Sequence, residues 1–325
     1  MTTRVFMNRD FFARPSRTMA RTMSLAMGAL AISLTLGGSI GAAHACNNPQ
    51  ALGVSRTIEV DTTAGPGFGF QHYRDYDFLQ PGEVVLTFDD GPLPGKTTAV
   101  LDALKKHCTK AMFFSVGKLA VGYPHILRRA AAEGHTIGTH TWSHKNLSRM
   151  SRDQLVDQIE RGASAVRLAI GDKAAPFFRF PFLKDSETAI KYLSGRDQGI
   201  FSTDLDSFDF KERKPAALIK RVMANLKKKG KGIILFHDIQ PVTAKAMDAF
   251  FTRLKEGGYK VVHLTAKAPL KTLPAFDEKI KKLFRGRARM AGGRPLSAVM
   301  RTVTPAAAQP DAAADAPQTT AAPAN

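Results

Sequence analysis

Short apolar runs alternate with amphipathic segments along the middle of the chain. The runs are four to six residues long, which is typical of strands buried on both faces. The segments between them carry apolar residues at three- and four-residue spacing, which predicts helices. The predicted strands are Val84–Phe88, Ala111–Val116, Thr136–Thr139, Phe177–Phe180, Gly199–Thr203, Gly232–Phe236 and Lys260–His263. The predicted helices are Thr97–His107, Pro124–Glu133, Ser151–Ile170, Asp185–Leu193, Pro215–Lys229 and Val242–Glu256.

Residues at the ends of these segments support the same organisation. Ser151 and Gln154 form a capping-box pattern at the start of the third helix. Gly171 and Gly230 stand where the third and fifth helices should end, a position that favours a left-handed residue. Strands that alternate with helices in this way predict an α/β domain. Its parallel sheet would be covered on its faces or closed into a barrel.

Residues 1–45 have the pattern of a secretory signal peptide. Five arginines precede an uncharged apolar run, Met23–Ile40, and Ala43-His44-Ala45 then offers small residues to a signal peptidase. An uncleaved membrane anchor is the alternative, since about 18 residues is close to the minimum span. Glycines dilute the run, however, and its end fits cleavage better. We therefore expect an exported protein, periplasmic or secreted, with no stable membrane span after cleavage; without cleavage the chain would be membrane-anchored.

Export changes the interpretation of the two cysteines, Cys46 and Cys108. In an oxidising compartment two cysteines are a plausible disulfide pair, which would tie the mature N-terminus to the domain. The alternative is two unpaired thiols, one of them buried. Lipidation of Cys46 fits less well, because His44 matches a lipoprotein signal badly.

The net charge of +19 is concentrated towards the two ends of the chain. Residues 1–45 carry +4 and residues 267–301 carry +8, which leaves a moderately basic body. A composition of 44% hydrophobic and 23% charged residues excludes wholesale disorder and a fibrous repeat. Residues 302–325 are almost entirely Ala, Pro, Thr, Gln and Asp and cannot form a core.

These shifts in composition divide the chain into four parts. Residues 1–45 are the signal peptide, 46–82 a polar and Gly-rich lead-in, 83–266 the α/β body, and 267–325 a basic and then Ala/Pro-rich tail that we expect to be disordered. The basic part of the tail could contact anionic envelope polymers or nucleic acid, or could simply be solvated. Export favours the envelope polymers, and no nucleic-acid partner is expected.

Clusters of polar residues follow several of the predicted strands. In a parallel barrel the carboxyl ends of the strands meet on one face, so these clusters should converge. They are Asp89-Asp90 after the first strand, His140 and His144 after the third, Arg179 at the end of the fourth, Asp204, Asp206 and Asp209 after the fifth, and His237-Asp238 after the sixth.

The convergence indicates metal-assisted hydrolysis of an acyl bond. Two imidazoles and one carboxylate leave coordination positions open for water and substrate, a set that suits zinc and also iron or another divalent metal. A second carboxylate could act as general base, and a further histidine as general acid. Each motif alone has a simpler explanation, such as a turn at Asp-Asp-Gly-Pro or an ordinary ion pair at Arg179. Their order and their placement at strand ends favour a site.

Five motifs together resemble the polysaccharide deacetylase family, over about residues 80–265. They are Thr-Phe-Asp-Asp-Gly-Pro at Thr87, His-Thr-x-x-His at His140, Arg-Phe-Pro-Phe at Arg179, Asp-Ser-x-Asp-Phe at Asp206 and Leu-x-His at Leu235. The family includes deacetylases of chitin, chitooligosaccharides, peptidoglycan and acetylxylan. The resemblance implies a single-domain distorted (β/α)7 barrel and divalent-metal-dependent removal of acetyl groups from sugars.

The resemblance also implies roles for individual residues. Asp90, His140 and His144 would be the metal ligands, with zinc expected and cobalt or another divalent metal possible. Asp89 would be the general base, held and kept ionised by Arg179.

On the other side of the implied site, His237 would be the general acid, oriented by Asp206. Asp204 is the alternative residue for this orienting role, but the spacing to Phe210 favours Asp206. The backbone N–H of Phe182 would help to stabilise the oxyanion.

The chain departs from the family pattern at three positions. Phe182 and Leu183 stand where the family usually has Tyr and Gly, and Phe210 replaces the usual Trp. None of these changes removes an implied ligand. We therefore expect a metal-dependent hydrolase that removes N-acetyl groups from glycans containing N-acetylglucosamine, of chitooligosaccharide or peptidoglycan type. The alternatives are an acetyl-ester hydrolase of acetylxylan type, a non-catalytic exported glycan-binding barrel, and a barrel whose metal is structural.

Overall fold

A parallel β-sheet forms the centre of the protein. The computed structural model describes Asn48 and residues 50–292, with side chains to residue 287. All the strand pairings are parallel. The strands are β1 (Arg56–Val60), β2 (Gly67–Phe68), β3 (Glu83–Asp90), β4 (Met112–Ser115), β5 (Thr136–Thr139), β6 (Ala174–Phe178), β7 (Gly199–Phe201), β8 (Leu205–Asp206), β9 (Gly232–His237) and β10 (Lys260–Ala266).

The strand order gives a distorted (β/α)7 barrel, as the sequence predicts. The wall runs β7–β6–β5–β4–β3–β9–β8, and β2 pairs with β7. The distortion comes from β10, which pairs with β1 and only with the first residues of β3. The end of β10 and the residues that follow it lie next to the first residues of β5 and β6. The Thr136 hydroxyl donates to the Leu264 carbonyl, and the Leu270 N–H donates to the Ala174 carbonyl.

The helices between the strands cover the outside of the barrel. Ser151 and Gln154 form the predicted capping box on α4, and both reciprocal hydrogen bonds are present. Gly230 ends α6 in the left-handed conformation that the sequence predicts, with φ of 78°. The helices are α1 (Thr97–Lys106), α2 (Gly117–Gly122), α3 (Pro124–Ala132), α4 (Arg152–Ile170), α5 (Glu187–Ser194), α6 (Pro215–Lys229), α7 (Pro241–Glu256) and α8 (Pro274–Gly292).

Side-chain alternation along β3 decides which residues reach the barrel interior. Val84, Leu86 and Phe88 belong to the core between the strands and the helices, whereas Val85 belongs to a second core inside the barrel. Because side chains alternate between the faces of a strand, Asp89 lies on the same face as Val85. The end of β3 therefore points a carboxylate into the barrel.

All seven predicted strands and all six predicted helices are present, with ends shifted by three residues or fewer. The structure adds β1, β2 and β8, which are short or half-polar, and α2. Two of the added strands come from the segment 46–82, so the predicted lead-in contributes to the sheet. Cys108 is disulfide-bonded. Cys46, the chain's other cysteine, and the predicted signal peptide lie outside the described residues.

The prediction of a disordered tail is wrong for its first part. Residues Pro274–Gly292 form α8, which packs against α4. Leu270 and Ile280 are buried in the core between the strands and the helices. Lys279, Lys282, Arg285 and Arg287 of this helix are exposed. In the sequence, the many charged residues obscured its apolar face. Among the described helices, none is long and apolar enough to cross a membrane.

Candidate active site

The polar clusters predicted from the sequence come together at the carboxyl ends of the strands. They surround a cavity of about 350 Å³. Because every wall strand runs in the same direction, residues far apart in the chain are brought to one end of the barrel. The lining residues are Asp89, Asp90, His140, His144, Phe180, Phe182, Leu183, Asp206, Phe210, Leu235, His237 and Gln240.

Asp89 is held by a fully buried arginine. Arg179 Nη1 donates to Asp89 Oδ1 at 2.7 Å and to the Thr87 hydroxyl at 2.8 Å. The guanidinium also donates to the carbonyls of Phe201 and Ser202, and it lies over the Phe114 ring at 4.3 Å. These contacts fix the guanidinium in one place, so the negative charge of Asp89 is compensated and one of its oxygens is left facing the cavity.

Asp90, His140 and His144 form the predicted ligand set. Their ligand atoms all lie within 4.8 Å of one another. Nε2 of His144 lies 3.2 Å and Nε2 of His140 3.6 Å from Asp90 Oδ1. This carboxylate oxygen is buried and has no hydrogen-bond partner among the described residues. A buried, unpaired oxygen facing two imidazoles fits a divalent cation, and the open side of the set would leave positions for water and substrate.

The second nitrogen of His140 supports this assignment. Its Nδ1 lies 2.7 Å from the Arg179 carbonyl and must donate to it, so Nε2 carries the lone pair that faces Asp90. Burial lowers the pKa of His140 below its ordinary value, although the charges of Asp89 and Asp90 oppose the shift. The imidazole is therefore neutral, as a metal ligand must be.

The backbone at the site has left-handed conformations at residues other than glycine. The φ angles are 82° at Asp90, 53° at His144 and 61° at Phe182. Such conformations are strained for these residue types and persist where surrounding contacts enforce them. Asp90 therefore departs from strand geometry just where its carboxylate must turn towards the histidines.

His237 is oriented by Asp209. Nδ1 of His237 lies 2.7 Å from Asp209 Oδ1, and its backbone N–H donates to Asp209 Oδ2. Thr243 also donates its hydroxyl to that carboxylate, which is fully buried. Burial alone would lower the pKa of His237, but the hydrogen bond and charge of Asp209, with the charges of Asp89 and Asp90, outweigh it and raise the pKa to about 9.

The prediction that Asp206 orients His237 is therefore wrong. Asp206 lines the cavity, and its Oδ1 accepts the Phe208 N–H at 2.8 Å. Burial raises its pKa. Asp204 is outside the cavity lining, and its carboxylate accepts the backbone N–H groups of Phe70 and Ile233. The carboxylate that reaches the histidine is that of Asp209, three residues later.

Phe182 lines the cavity next to His144. The residue is 61% exposed, and its ring packs against that of His144, with ring centroids 4.6 Å apart. Its backbone N–H donates to no acceptor among the described residues. A free N–H at the edge of the cavity is compatible with the oxyanion role that the sequence resemblance implies.

Asp238 is a site residue that the sequence interpretation left without a role. Its carboxylate is buried and accepts the Gly91 N–H at 2.8 Å and the Thr97 hydroxyl at 2.7 Å. Burial raises its pKa to about 7 against these hydrogen bonds. Asp238 thereby fixes the turn directly after Asp90. In the sequence, the position of Asp238 directly after His237 was the signal that could have identified it.

Replacing Gly91 with alanine should destabilise this turn. A Cβ at Gly91 would overlap the carboxylate of Asp238, which must then move and give up buried hydrogen bonds. We expect Gly91→Ala to lower the free energy of unfolding by about 1–3 kcal/mol in urea titration. Gly286→Ala in α8 is the matched control, because its Cβ meets nothing within 4 Å and alanine favours a helix. Equal unfolding midpoints for Gly91→Ala and the wild type would contradict the assignment.

The fold and the site together define a class of protein. It is a parallel (β/α)7 barrel whose strand ends bring two histidines and one carboxylate together as a candidate cation site. A carboxylate paired with arginine and a histidine paired with a buried aspartate flank this site.

Comparison with known proteins identifies the family. The polysaccharide deacetylase family profile matches residues 79–196. The chain is 34% identical over 182 residues to peptidoglycan-N-acetylglucosamine deacetylase PgdA of Listeria monocytogenes, covering 55% of this chain. It is 31% identical over 164 residues to a chitooligosaccharide deacetylase of Azorhizobium caulinodans, covering 50% of this chain and 77% of that relative. Peptidoglycan deacetylase Bd3279 of Bdellovibrio bacteriovorus superimposes with a TM-score of 0.61 at 35% identity, covering 69% of this chain and 62% of that one.

The chain therefore belongs to the polysaccharide deacetylase family. It spans only 37% of the length of the Listeria relative. Similar structures also include a CE4 family pseudoenzyme from Bacillus anthracis, with a TM-score of 0.50 and 26% identity over 57% of this chain and 68% of that one. Family membership alone does not establish activity, so the arrangement of the site carries the functional argument.

Proposed function

We propose that this protein is a metal-dependent hydrolase that removes N-acetyl groups from N-acetylglucosamine-containing glycans, releasing acetate. The observation that carries the proposal is the placement of three chemical groups around one cavity. A compensated carboxylate, a cation-binding set and a histidine with raised pKa all line it. These are the base, the electrophilic centre and the acid that hydrolysis of an acetamide requires.

Asp90, His140 and His144 would hold the divalent cation, and zinc suits two imidazoles and one carboxylate best. When bound, such a cation supplies Lewis acidity, which polarises the acetamide carbonyl and makes a nearby water more acidic. The open side of the ligand set faces the same cavity as Asp89 and His237.

Asp89 accepts the proton of the attacking water. Its Oδ1 is occupied by Arg179, so Oδ2 is the oxygen available for this proton. The arginine keeps the carboxylate ionised and fixed in orientation before the reaction. As negative charge develops on the carbonyl oxygen of the acetyl group, the Phe182 N–H would donate to it.

His237 protonates the sugar nitrogen as the amide bond breaks. Because its pKa is about 9, the imidazolium is present at neutral pH and can give up a proton to the departing amine. Asp209 holds Nδ1, so the proton that is transferred is the one on Nε2. The products are acetate and a free amino sugar.

Export to the periplasm or the cell exterior is part of this proposal. The Arg-rich start, the apolar run Met23–Ile40 and Ala43-His44-Ala45 support it. A disulfide at Cys108 is also typical of proteins that fold in an oxidising compartment. Anionic envelope polymers remain the proposed partners of the basic segment after residue 266.

The test is acetate release from N-acetylglucosamine oligomers by protein that has been stripped with chelator and then resupplied with zinc or cobalt. We expect no release from the stripped protein and recovery with metal. His144→Ala should lose both the bound cation, measured by metal analysis, and the activity. His125→Ala is a matched control, because His125 lies outside the cavity.

The other outcomes would separate the alternatives. Release of acetate from acetylated xylan but not from the oligomers would replace the amide substrate with an ester. Binding of oligomers without acetate release from any substrate would indicate a non-catalytic glycan-binding barrel. Full activity after complete removal of metal would contradict the proposed chemistry.

A further inference from the structure

A turn with two exposed phenylalanines lies at the rim of the catalytic cavity. Residues 206–212, which start at the last residue of β8 and lead towards α6, are named here the rim turn. Phe210 lines the cavity, and its ring stands perpendicular to that of His237 with centroids 5.6 Å apart. Phe208 is outside the cavity lining, with its ring 6.1 Å from that of Phe210. Phe208 is 41% exposed and Phe210 is 49% exposed, which is unusual for phenylalanine.

The backbone of the rim turn is held in place from both sides. The Phe208 N–H donates to Asp206, and Arg221 on α6 donates to the carbonyls of Ser207 and Phe208. Phe208 is held in the left-handed region with φ of 50°. The exposure of its ring is therefore enforced by the fold. Exposed apolar rings on a fixed turn beside a cavity mark a contact surface for a ligand.

A lysine ammonium lies over the two rings in cation–π contact. Lys211 Nζ is 5.1 Å from the centroid of Phe208 and 5.5 Å from that of Phe210. The lysine is exposed and forms no ion pair with an acid among the described residues. Its neighbour Glu212 is engaged by Arg221 and by two backbone N–H groups.

No other carboxylate of the turn offsets this charge. Asp209 is buried against His237, and Asp206 lies within the cavity lining. Arg213 and Lys214, which follow the turn, are exposed and also have no acidic partner among the described residues. The rim beside His237 is therefore apolar and positively charged at once.

These two properties specify a ligand chemistry. The C–H face of a sugar ring packs on an aromatic face, and an ammonium pairs with a carboxylate. A neutral N-acetylated oligomer could use only the phenylalanine. A strand whose adjoining sugar carries a carboxylate, such as the lactyl ether of muramic acid, could use both groups.

We propose that Phe208 and Lys211 form a subsite for a carboxylate-bearing sugar next to the one that is deacetylated, so that the enzyme favours anionic over neutral glycan strands. This inference rests on the proposed function, because it names the substrate class of the same cavity. Phe208 supplies the platform for the sugar ring, and Lys211 selects its charge.

The experiment compares three tetrasaccharides of equal length with the full chain in its metal-loaded form. They are an N-acetylglucosamine oligomer, an alternating N-acetylglucosamine and N-acetylmuramic acid strand, and the methyl ester of that strand. We expect the wild type to prefer the free carboxylate over the ester in kcat/KM. Lys211→Met should lower kcat/KM for the carboxylate strand by about fivefold, the scale of an exposed ion pair. Lys211→Glu should lower it by about tenfold, since attraction becomes repulsion, with less than about twofold change on the two neutral substrates.

Two further variants separate a subsite from a general effect of charge. Lys227→Glu makes the same charge change on α6, about 18 Å along the helix from its first residue, and should leave the preference for the carboxylate unchanged. Phe208→Ala should lower kcat/KM for all three tetrasaccharides by a similar factor, about fivefold, because it removes the platform and leaves the charge.

Each contrary outcome has a separate meaning. If wild type and Lys211→Glu show the same preference among the three substrates, or if Lys227→Glu changes it equally, the subsite proposal is wrong while the deacetylase proposal stands. If the wild type releases acetate from none of them, the proposed function fails and the subsite proposal fails with it.

Discussion

Asp89→Asn should lower kcat for acetate release by about 10³-fold, since a positioned general base contributes roughly 10²–10⁴. The amide of asparagine cannot take up the proton of the attacking water. It can still accept a hydrogen bond from Arg179, which also keeps its contacts with Thr87 and Ser202. The variant should therefore fold and bind one equivalent of cation while the chemical step slows.

The measurement is single-turnover acetate release, with thermal unfolding and metal content determined on the same preparation. Asp75→Asn makes the same chemical change at an exposed residue outside the cavity and should leave kcat unchanged. An Asp89→Asn protein with full activity would show that the base lies elsewhere. A variant that is inactive because it no longer binds the cation would also contradict the assignment.

Asp209→Asn should lower kcat by about 10²-fold or more, whereas Asp206→Asn should cost less than about tenfold. Among the carboxylates of the described residues, Asp209 is the one that accepts a hydrogen bond from the His237 imidazole, through Nδ1. Removing its charge frees the ring to adopt the wrong tautomer and orientation. Asp206 accepts only a backbone N–H, which an asparagine oxygen also accepts. The two variants make the same chemical change three residues apart, so each controls for the other.

The pH dependence of kcat/KM provides a second measurement on the same pair. A His237 with a pKa of about 9 is protonated below that pH, so activity that depends on it falls as the pH rises through 9. In Asp209→Asn the negative charge of Asp209 is lost, which leaves only the charges of Asp89 and Asp90 to oppose the lowering of the His237 pKa by burial. The alkaline limb should then move to lower pH. If the alkaline limb of the pH profile moves in Asp206→Asn but not in Asp209→Asn, Asp206 is the residue that orients His237, as the sequence predicted.

The placement of the catalytic residues was predictable from the sequence because it depends on local patterns and one topological rule. The apolar run Val84–Phe88 predicts a strand, and parallel strands bring their carboxyl ends together. Asp89, Asp90, His140, Arg179 and His237 each lie at the end of such a strand or within one residue of it. Their meeting in one cavity follows from the direction of the strands and needs no knowledge of side-chain packing.

The partner of His237 could not be predicted in this way. Asp206 and Asp209 both precede Phe210, and spacing alone does not show which carboxylate turns inward. The choice depends on the conformation of the turn, in which Phe208 is left-handed, and on Thr243 on α7, which donates to Asp209. The first is a backbone conformation that has no sequence signal. The second is a contact between residues that are distant in the chain.

The helix at the end of the described chain was missed for a different reason. Its composition is dominated by lysine and arginine, which suggested a solvated tail. Ile280 and Phe284, four residues apart, are the apolar face that packs on the core. Lysine and arginine are good helix formers, so a high positive charge by itself does not exclude an ordered helix. The short strands β2 and β8 contain two residues each, too few to give a pattern.

The packing of α8 has a practical consequence for expressing shorter versions of this protein. The family profile ends at residue 196 and the sequence motifs end near residue 265, so either boundary would invite truncation before α8. A chain stopped at residue 266 would lack Leu270 and Ile280, and the apolar surface that they cover, including part of α4, would face water. Exposed apolar patches of this kind promote aggregation. Truncations intended for crystallisation or assay should therefore retain the helix, even though it lies outside every recognisable motif.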